Sequence, residues 1–144
     1  MALNINGTTG ISGVDGSASA PALQGTDSNT GINFGSDTVN INTGGTTRAT
    51  VNSAGNLGLG TTSPQNLFHS DGGGGNTFLH LTNSTTGANS GDGSRIGIAS
   101  SDSGLRIQNQ ENSYIRLETN GSERVRIDSS GKVGIGTTNP DRFF

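Results

Sequence analysis

The chain has no cysteine and no tryptophan, and only two histidines among its 144 residues. The missing cysteines exclude disulfide bonds and thiolate metal sites, which often stabilise domains that lack a large core. Large aliphatic and aromatic side chains are scarce as well, since Leu, Ile, Val and Phe together number 29. A single copy therefore has little with which to build a core, and we expect the protein to be stabilised by self-association.

Small and polar residues take the place of the missing apolar ones, because Gly, Ser, Thr and Asn together number 77. Such a composition borders on that of disordered chains, but the net charge is only −3 and the apolar residues fall in alternating runs. Alternation with a period of two indicates β-strands, and no stretch shows the 3.6-residue period of an amphipathic helix. The sequence predicts an all-β protein of short antiparallel strands and hairpins with little or no helix.

A repeated segment is the strongest pattern in the sequence. Residues 39–68 align with residues 115–144 without a gap, at an offset of 76, and 11 of the 30 positions are identical. Within residues 123–140 the pattern reads as a strand, a turn and a second strand, and Asn120-Gly121 before it is a strong hairpin signal. Since internal repeats decide architecture, we interpret the chain as a modular β protein.

The repeat and the glycine content divide the chain into four predicted parts. Residues 1–36 are dense in turn signals, and we expect very short strands and loops that wrap over another surface, with a disordered arm as the alternative. Residues 37–71 form the first β module and residues 77–144 the second, which ends in the repeated segment. Residues 72–76 contain four consecutive glycines and are predicted to be a flexible linker.

The charged residues give no sign of a nucleic-acid surface. Residues 73–144 carry seven acidic and seven basic residues, whereas nucleic-acid binding needs an excess of positive charge. We interpret the arginines of the second module as solvent-facing partners in cross-strand ion pairs with Glu118 and Glu123; they are Arg106, Arg116, Arg124 and Arg126. No apolar run approaches the length of a membrane span, so we expect neither a nucleic-acid partner nor membrane insertion.

The sequence contains no recognisable catalytic motif. Only His69 and His80 could serve as an imidazole base, and both are interpreted as packed side chains, since neither has a neighbouring histidine at metal-ligand spacing. The glycines of residues 58–60 and 134–136 lack the third spaced glycine and the helix of a dinucleotide fingerprint. We interpret them as places where neighbouring chains approach a shared axis. We predict no enzyme activity and no catalytic, cofactor-binding or metal-binding residues.

Two stretches carry a family resemblance. One is Glu-Arg-Val-Arg-Ile-Asp-Ser-Ser-Gly at residues 123–131, followed by Val-Gly-Ile-Gly-Thr-Thr-Asn-Pro at residues 133–140. The other is Ile-Ser-Gly-Val-Asp-Gly at residues 11–16, followed by Pro-Ala-Leu-Gln-Gly-Thr-Asp at residues 21–27. Together they resemble tail-fibre and other virion fibre proteins of bacteriophages, most of all those of marine phages that infect cyanobacteria.

The resemblance implies an elongated, intertwined homotrimeric fibre in a phage particle, assembled in the bacterial cytoplasm. Residues 1–36 are expected to attach the protein to the virion by binding other tail or head proteins, and the distal part to face the host surface and its receptor. The expected function is that of a short tail fibre or fibre segment that contributes to host adsorption. The alternatives are a head fibre, a capsid decoration protein or a tail-knob protein, with a polysaccharide-cleaving enzyme as a more distant third.

Two sets of residues follow as hypotheses from this interpretation. Virion docking is assigned to apolar residues near the N-terminus, which are Ile5, Ile11, Val14 and Leu23. Trimer packing is assigned to the alternating apolar positions of the repeat and to the two phenylalanines after it, which are Val51, Leu57, Leu59, Val125, Ile127, Val133, Ile135, Phe143 and Phe144.

Overall fold

The structure, a computed structural model, describes residues 4–6, 10–12, 15–101, 103–141 and 143. All regular elements in these residues are β-strands, so the predicted all-β class is confirmed. They are β1 (Asn4–Asn6), β2 (Gly10–Ser12), β3 (Leu23–Gln24), β4 (Gly31–Gly35), β5 (Thr38–Thr43), β6 (Thr46–Val51), β7 (Leu57–Leu59), β8 (Phe68–Ser70), β9 (Thr77–Leu81), β10 (Ser94–Ile98), β11 (Leu105–Asn109), β12 (Ile115–Thr119), β13 (Ser122–Ile127) and β14 (Val133–Ile135).

The chain divides into two compact units, Met1–Gly73 and Gly74–Phe144. The first unit contains the short hairpin β1-β2 and a six-stranded sheet in the order β3-β4-β5-β6-β7-β8. All neighbours in that sheet are antiparallel except β7 and β8, which are parallel. The alternating pattern predicted only antiparallel pairs. The pair is parallel because residues 60–67 cross over the polar face, beside Gly58, instead of turning back in a hairpin.

The second unit contains two three-stranded antiparallel sheets, in the orders β11-β10-β9 and β12-β13-β14. The sheet β12-β13-β14 belongs to the second repeat, and β5-β6-β7 are its counterparts in the first. The predicted hairpin at Asn120-Gly121 joins β12 to β13, and both residues have positive φ, at 50° and 69°. Such a turn matches the right-handed twist of the two strands, which explains this residue pair.

The two repeats share a β-bulge that the sequence analysis missed. In the first repeat Ile41 pairs with Ala49 but Asn42 pairs with Thr47, so Arg48 is an extra residue on β6. Arg124 is the corresponding extra residue on β13. Each arginine donates from Nε to a threonine hydroxyl across the hairpin, at 2.9 Å in the first repeat and 2.8 Å in the second. The arginine that is identical in the two repeats therefore occupies the same bulge position in both.

Gly58 and Gly134 are also explained within the chain. A Cβ atom on Gly58 would lie 2.5 Å from the carbonyl oxygen of Thr61, and one on Gly134 would lie 2.7 Å from that of Thr137. The buried Pro64 and Pro140 press against the same two glycines. The interpretation that these glycines serve contacts between chains is therefore wrong for Gly58 and Gly134, because the chain's own Thr-Thr-x-Pro segment fills the space beside them.

Candidate functional site

Apolar side chains form two continuous rows across one face of the six-stranded sheet. The strand registers place the members of each row directly opposite one another on neighbouring strands. The first row is Leu23, Ile32, Ile41, Ala49 and Leu59; the second is Phe34, Val39, Val51, Leu57 and Phe68. We call this surface the apolar face of the first unit. Cross-strand neighbours of this kind normally pack against a second layer.

This apolar face is uncovered. Ile41 lies near its centre, on the fifth strand of the chain, and is 50% exposed. Seven of the ten row members are exposed, and the other three are only half-buried. Monomeric soluble proteins rarely expose a contiguous apolar surface of this kind.

The opposite face of the same sheet is polar and buried. Asn42 is 1% exposed and Thr50 is 2% exposed. Asn42 donates from Nδ2 to Asn33 Oδ1 at 2.8 Å and accepts from the hydroxyl of Thr47 at 2.8 Å. Because these groups satisfy one another, the network is stable without water.

Segments of the same chain lie against this polar face. Pro21 lies beside Gly31 and Pro64 lies beside Gly58, and both prolines are buried. The first unit therefore covers its polar face with its own chain and leaves its apolar face open, which is the reverse of an ordinary globular domain.

The second unit also has exposed apolar rows. In the sheet β12-β13-β14, one row contains Leu117, Val125 and Ile135, and the other contains Ile115, Ile127 and Val133. Leu117 is 63% exposed and Ile135 is 74% exposed. The sheet β11-β10-β9 likewise exposes an apolar face, which consists of Leu79, Ile96, Ile98, Leu105 and Ile107.

Almost no aliphatic or aromatic side chain is buried in the part of the chain that the structure describes. Apart from prolines, Ala99 is the one such residue that is buried among the described residues. The few apolar residues therefore contribute little to a core, because nearly all of them lie on faces that a single chain leaves open.

The polar face of the sheet β12-β13-β14 carries an ion pair. Both carboxylate oxygens of Glu123 accept from Arg126, from Nε and from one terminal nitrogen, each at 2.6 Å. The Arg126 guanidinium lies over the Tyr114 ring, 3.9 Å from its centroid. The bulge at Arg124 makes this possible, because it turns two residues three positions apart onto the same face.

These contacts also shift the titration of both groups. The hydrogen bond from Arg126 holds the pKa of the Glu123 carboxyl below its ordinary value of 4.5. The same bond raises the pKa of the Arg126 guanidinium. Arg126 and Glu123 are half-buried, so the interpretation of Arg126 as a solvent-facing side chain is wrong. The cation–π contact with Tyr114 and the forked hydrogen bond explain its burial.

The two histidines bind to backbone groups. His69 Nδ1 accepts from the Gln65 N–H at 3.3 Å. A His80 ring nitrogen, Nε2, lies 2.6 Å from the Asp92 carbonyl oxygen. Within the described ranges, no three His, Cys, Asp or Glu side chains come together as metal ligands, and no helix could span a membrane.

The structure locates most of the residues assigned from sequence. Val51, Leu57 and Leu59 lie on the apolar face of the first unit, and the four assigned residues of the second repeat lie in the corresponding rows of β13 and β14. Leu23, assigned to virion docking, lies in the first row beside Ile32. The packing and docking roles of these residues stay predictions.

The remaining assigned residues lie toward the two ends of the chain. Ile5 and Ile11 are opposite one another in the hairpin β1-β2. Phe143 is exposed. Val14 and Phe144 lie outside the described residues. The sequence analysis did not assign Ile41, Ile96, Ile107 or Leu117, although the same alternation marks them and would have found them.

Comparison with known proteins adds no relative. A scan against models of known protein families finds no match, and a search of curated proteins finds none either. The functional argument therefore rests on the exposed apolar faces and on the fibre resemblance of the sequence.

Proposed function

We propose that the protein is a structural component of a bacteriophage virion, namely a short homotrimeric tail fibre or a segment of one. In this proposal the chain attaches to the tail, contributes to adsorption to the host, and is assembled in the bacterial cytoplasm. The observation that carries the proposal is the exposed apolar face on the sheets of both units.

Self-association follows from the chemistry of these faces. A soluble chain rarely leaves rows of Ile, Leu, Val and Phe uncovered unless another surface covers them. A second copy of the same chain offers rows of the same kind, and obligate homo-oligomers bury apolar surfaces that resemble a divided core. The Gly-rich, Asn-rich and Thr-rich remainder suits a chain whose strength comes from contacts between subunits.

The trimer and the virion are inferred from the resemblance to phage fibres. Three copies can surround one axis with their apolar faces directed inward, and cyclic symmetry closes such an assembly without leaving a free face. The repeat supports a fibre, because a repeated strand–turn–strand module extends a structure along one direction.

Light scattering on the purified protein tests the assembly. We expect a mass three times that of the chain, and it should persist at high salt because apolar burial is insensitive to screening. A folded monomer would overturn the proposal, and a dimer would overturn the trimer.

Electron microscopy of the phage tests the location. Gold-labelled antibodies against the protein should mark the tail of intact particles. Labelling of the head would favour a head fibre or a capsid decoration protein instead, and unlabelled particles would overturn the virion assignment.

An adsorption assay tests the contribution to host attachment. Purified protein should slow attachment of the phage to its host, whereas no effect at saturating protein would overturn the proposed role in adsorption.

A further inference from the structure

The hairpin turns of the two repeats have similar backbones but different surroundings. In the first repeat Gly44 and Gly45 join β5 to β6, with φ of 58° and 72°. In the second repeat Asn120 and Gly121 join β12 to β13, with φ of 50° and 69°. Positive φ at both residues gives each turn the twist that its two strands need. The two turns therefore differ in what they contact rather than in their φ angles.

The turn of the first repeat is bound to another part of its unit. The Gly44 N–H donates to the hydroxyl oxygen of Thr30 at 3.3 Å, and the Gly45 N–H donates to the Asn29 carbonyl at 2.9 Å. Gly45 is also half-buried. Opening of this turn must therefore break two hydrogen bonds to residues outside the hairpin.

The turn of the second repeat has no such support. Among the residues that the structure describes, neither the Gly121 N–H nor the Asn120 side chain forms a hydrogen bond, and both residues are exposed. A Cβ atom on Gly121 would meet nothing within 4 Å, so the space beside this residue is open. The peptide nitrogen of Gly121 is thus accessible, and it follows directly after an unbound side-chain amide.

We propose that Asn120 is a site of spontaneous deamidation in the folded protein, and that its isoaspartyl product opens the hairpin of the second repeat. Asparagine is among the chemically labile residues of proteins. The reacting groups are the Asn120 side-chain amide and the Gly121 peptide nitrogen, and water is the co-reactant. This inference does not depend on the proposed function.

The reaction needs only groups that this turn presents. The Gly121 nitrogen loses its proton to solvent and attacks Asn120 Cγ. The new N–Cγ bond closes a succinimide ring, and the Cγ–Nδ2 bond breaks as ammonia leaves with a proton from solvent. Water then opens the ring: attack at Cγ gives aspartate, whereas attack at the main-chain carbonyl gives isoaspartate, in which the chain runs through Cγ. Glycine favours the first step because no Cβ crowds its nitrogen.

Isoaspartate is incompatible with this turn. Its main chain contains one extra carbon, so the two-residue loop loses the length and twist that set Thr119 opposite Ser122. The bond from Arg124 Nε to the Thr119 hydroxyl, at 2.8 Å, lies directly beside this pair. We expect this bond to be lost and the hairpin to fray from its turn towards the bulge. The first repeat is resistant, since Gly44 carries no amide.

A variant with the same dipeptide in both turns tests the role of the surroundings. Gly44→Asn gives the first repeat the sequence Thr-Asn-Gly-Thr, to compare with the natural Thr-Asn-Gly-Ser of residues 119–122. A Cβ atom on Gly44 would meet nothing within 4 Å, and asparagine before glycine is favoured in turns of this type. Peptide mass spectrometry after incubation at mildly alkaline pH measures deamidation of both turns in one molecule.

We expect Asn120 to deamidate at least about tenfold faster than the introduced asparagine in the folded variant, because only the first turn must break bonds to Asn29 and Thr30. In urea the two asparagines should react at similar rates. Equal rates in the folded variant, or faster reaction at the introduced asparagine, would overturn the role of the open turn. In the unmodified protein, an Asn120 that stays intact while folded and reacts only in urea would overturn the inference directly.

Amide hydrogen exchange tests the effect on the hairpin. In aged protein enriched in isoaspartate, the amides of β12 and β13 next to the turn should exchange at least about tenfold faster than in fresh protein, while β5-β6 is unchanged. Asn120→Gly, which copies the first turn, should keep its protection after the same incubation. Asn120→Asp adds the charge without the extra carbon and should keep it too. Lost protection in Asn120→Asp, or full protection in the isoaspartate-enriched protein, would overturn the assigned effect of isoaspartate.

Discussion

The two repeats have the same backbone but satisfy their polar faces with different chemistry. Both have the bulge, the arginine-to-threonine bond and the glycine that accommodates the returning chain. In the first repeat Thr50 donates to Asn40 at 2.8 Å. At the corresponding positions the second repeat has Arg126, which binds Glu123, and Arg116. The bulge, the arginine-to-threonine bond and the glycine are thus the same in both repeats, whereas the polar side chains differ together.

This difference indicates that the polar partners within each repeat are coupled. Thr47 in the first repeat corresponds to Glu123 in the second, and Thr50 corresponds to Arg126. Replacing one member alone would leave a buried group without a partner, whereas exchanging the set keeps every group satisfied. The apolar faces did not need such coupling, because Ala, Val, Leu and Ile substitute for one another in the rows with little change in chemistry.

The largest effect should come from charges on the shared apolar faces. Ile41→Asp in the first unit and Leu117→Asp in the second should each convert the assembly to monomers, because a carboxylate buried without a partner is strongly unfavourable. Analytical ultracentrifugation measures this. The matched controls are Ser53→Asp and Ser129→Asp, which add the same charge in exposed turns and should leave the trimer intact. Trimers in all four variants would contradict a role of these faces in assembly.

A smaller effect should separate the two polar faces. Asn42→Ala removes partners from Asn33 and Thr47 in a buried network and should lower the free energy of unfolding by about 2–4 kcal/mol. Glu118→Ala, at the corresponding position of the second repeat, removes an exposed ion pair with Arg116 and should lower it by less than about 1 kcal/mol.

Denaturant unfolding at one fixed protein concentration compares these two variants, because assembly makes stability depend on concentration. Equal losses of unfolding free energy in the two variants would contradict the expectation that the buried network of the first repeat stabilises more than the exposed ion pair of the second.

The glycines should behave alike in the two repeats. Gly58→Ala and Gly134→Ala each place a methyl group against a carbonyl oxygen and should lower the free energy of unfolding by about 1–3 kcal/mol. The control is Gly25→Ala, since a Cβ atom there meets nothing within 4 Å. Thermal unfolding measures all three. A large loss in only one repeat would show that the returning segments are not equivalent.

The smallest effect should be a pH dependence confined to the second repeat. The pKa of Glu123 is lowered in the folded protein, so its stabilising contribution is present above about pH 4.5 and is lost as the pH falls through the lowered pKa. Thr47, its counterpart, does not titrate.

Amide exchange of β5-β6 and β12-β13 at pH 6 and pH 3, in the natural chain and in Glu123→Gln, tests this dependence. Acid should selectively weaken β12-β13 in the natural chain, and the substitution should remove most of that selectivity. If acid still weakens β12-β13 selectively in Glu123→Gln, a titrating group other than Glu123 causes the pH dependence.

Much of the fold follows from local patterns. Alternation located the strands around Val51, Leu57, Val125 and Ile135, and Asn120-Gly121 located a hairpin, because these features depend on neighbouring residues alone. The bulge at Arg124 was not predictable, since an extra residue is defined only relative to the opposite strand. Likewise, the parallel pairing of β8 depends on the path of the intervening chain.

The candidate site was predicted only in part. The alternating residues are those that form the exposed rows, but alternation does not say which face a chain covers with its own residues. Arg126 shows the problem: its charge suggested solvent, whereas the bulge and the Tyr114 ring bring it into a half-buried pair with Glu123.

Composition, period and turn residues are local properties, and they were enough to predict the all-β class, the repeat and most strand positions. The lack of cysteine excludes disulfides. The tertiary fold places Pro21 and Pro64 against the polar face and leaves the apolar rows open, which no local pattern predicts. Local alternation does not specify which segment, distant along the chain, will lie against a face, and Pro64 reaches Gly58 only because the chain crosses over between β7 and β8. The apolar rows have no covering layer among the described residues.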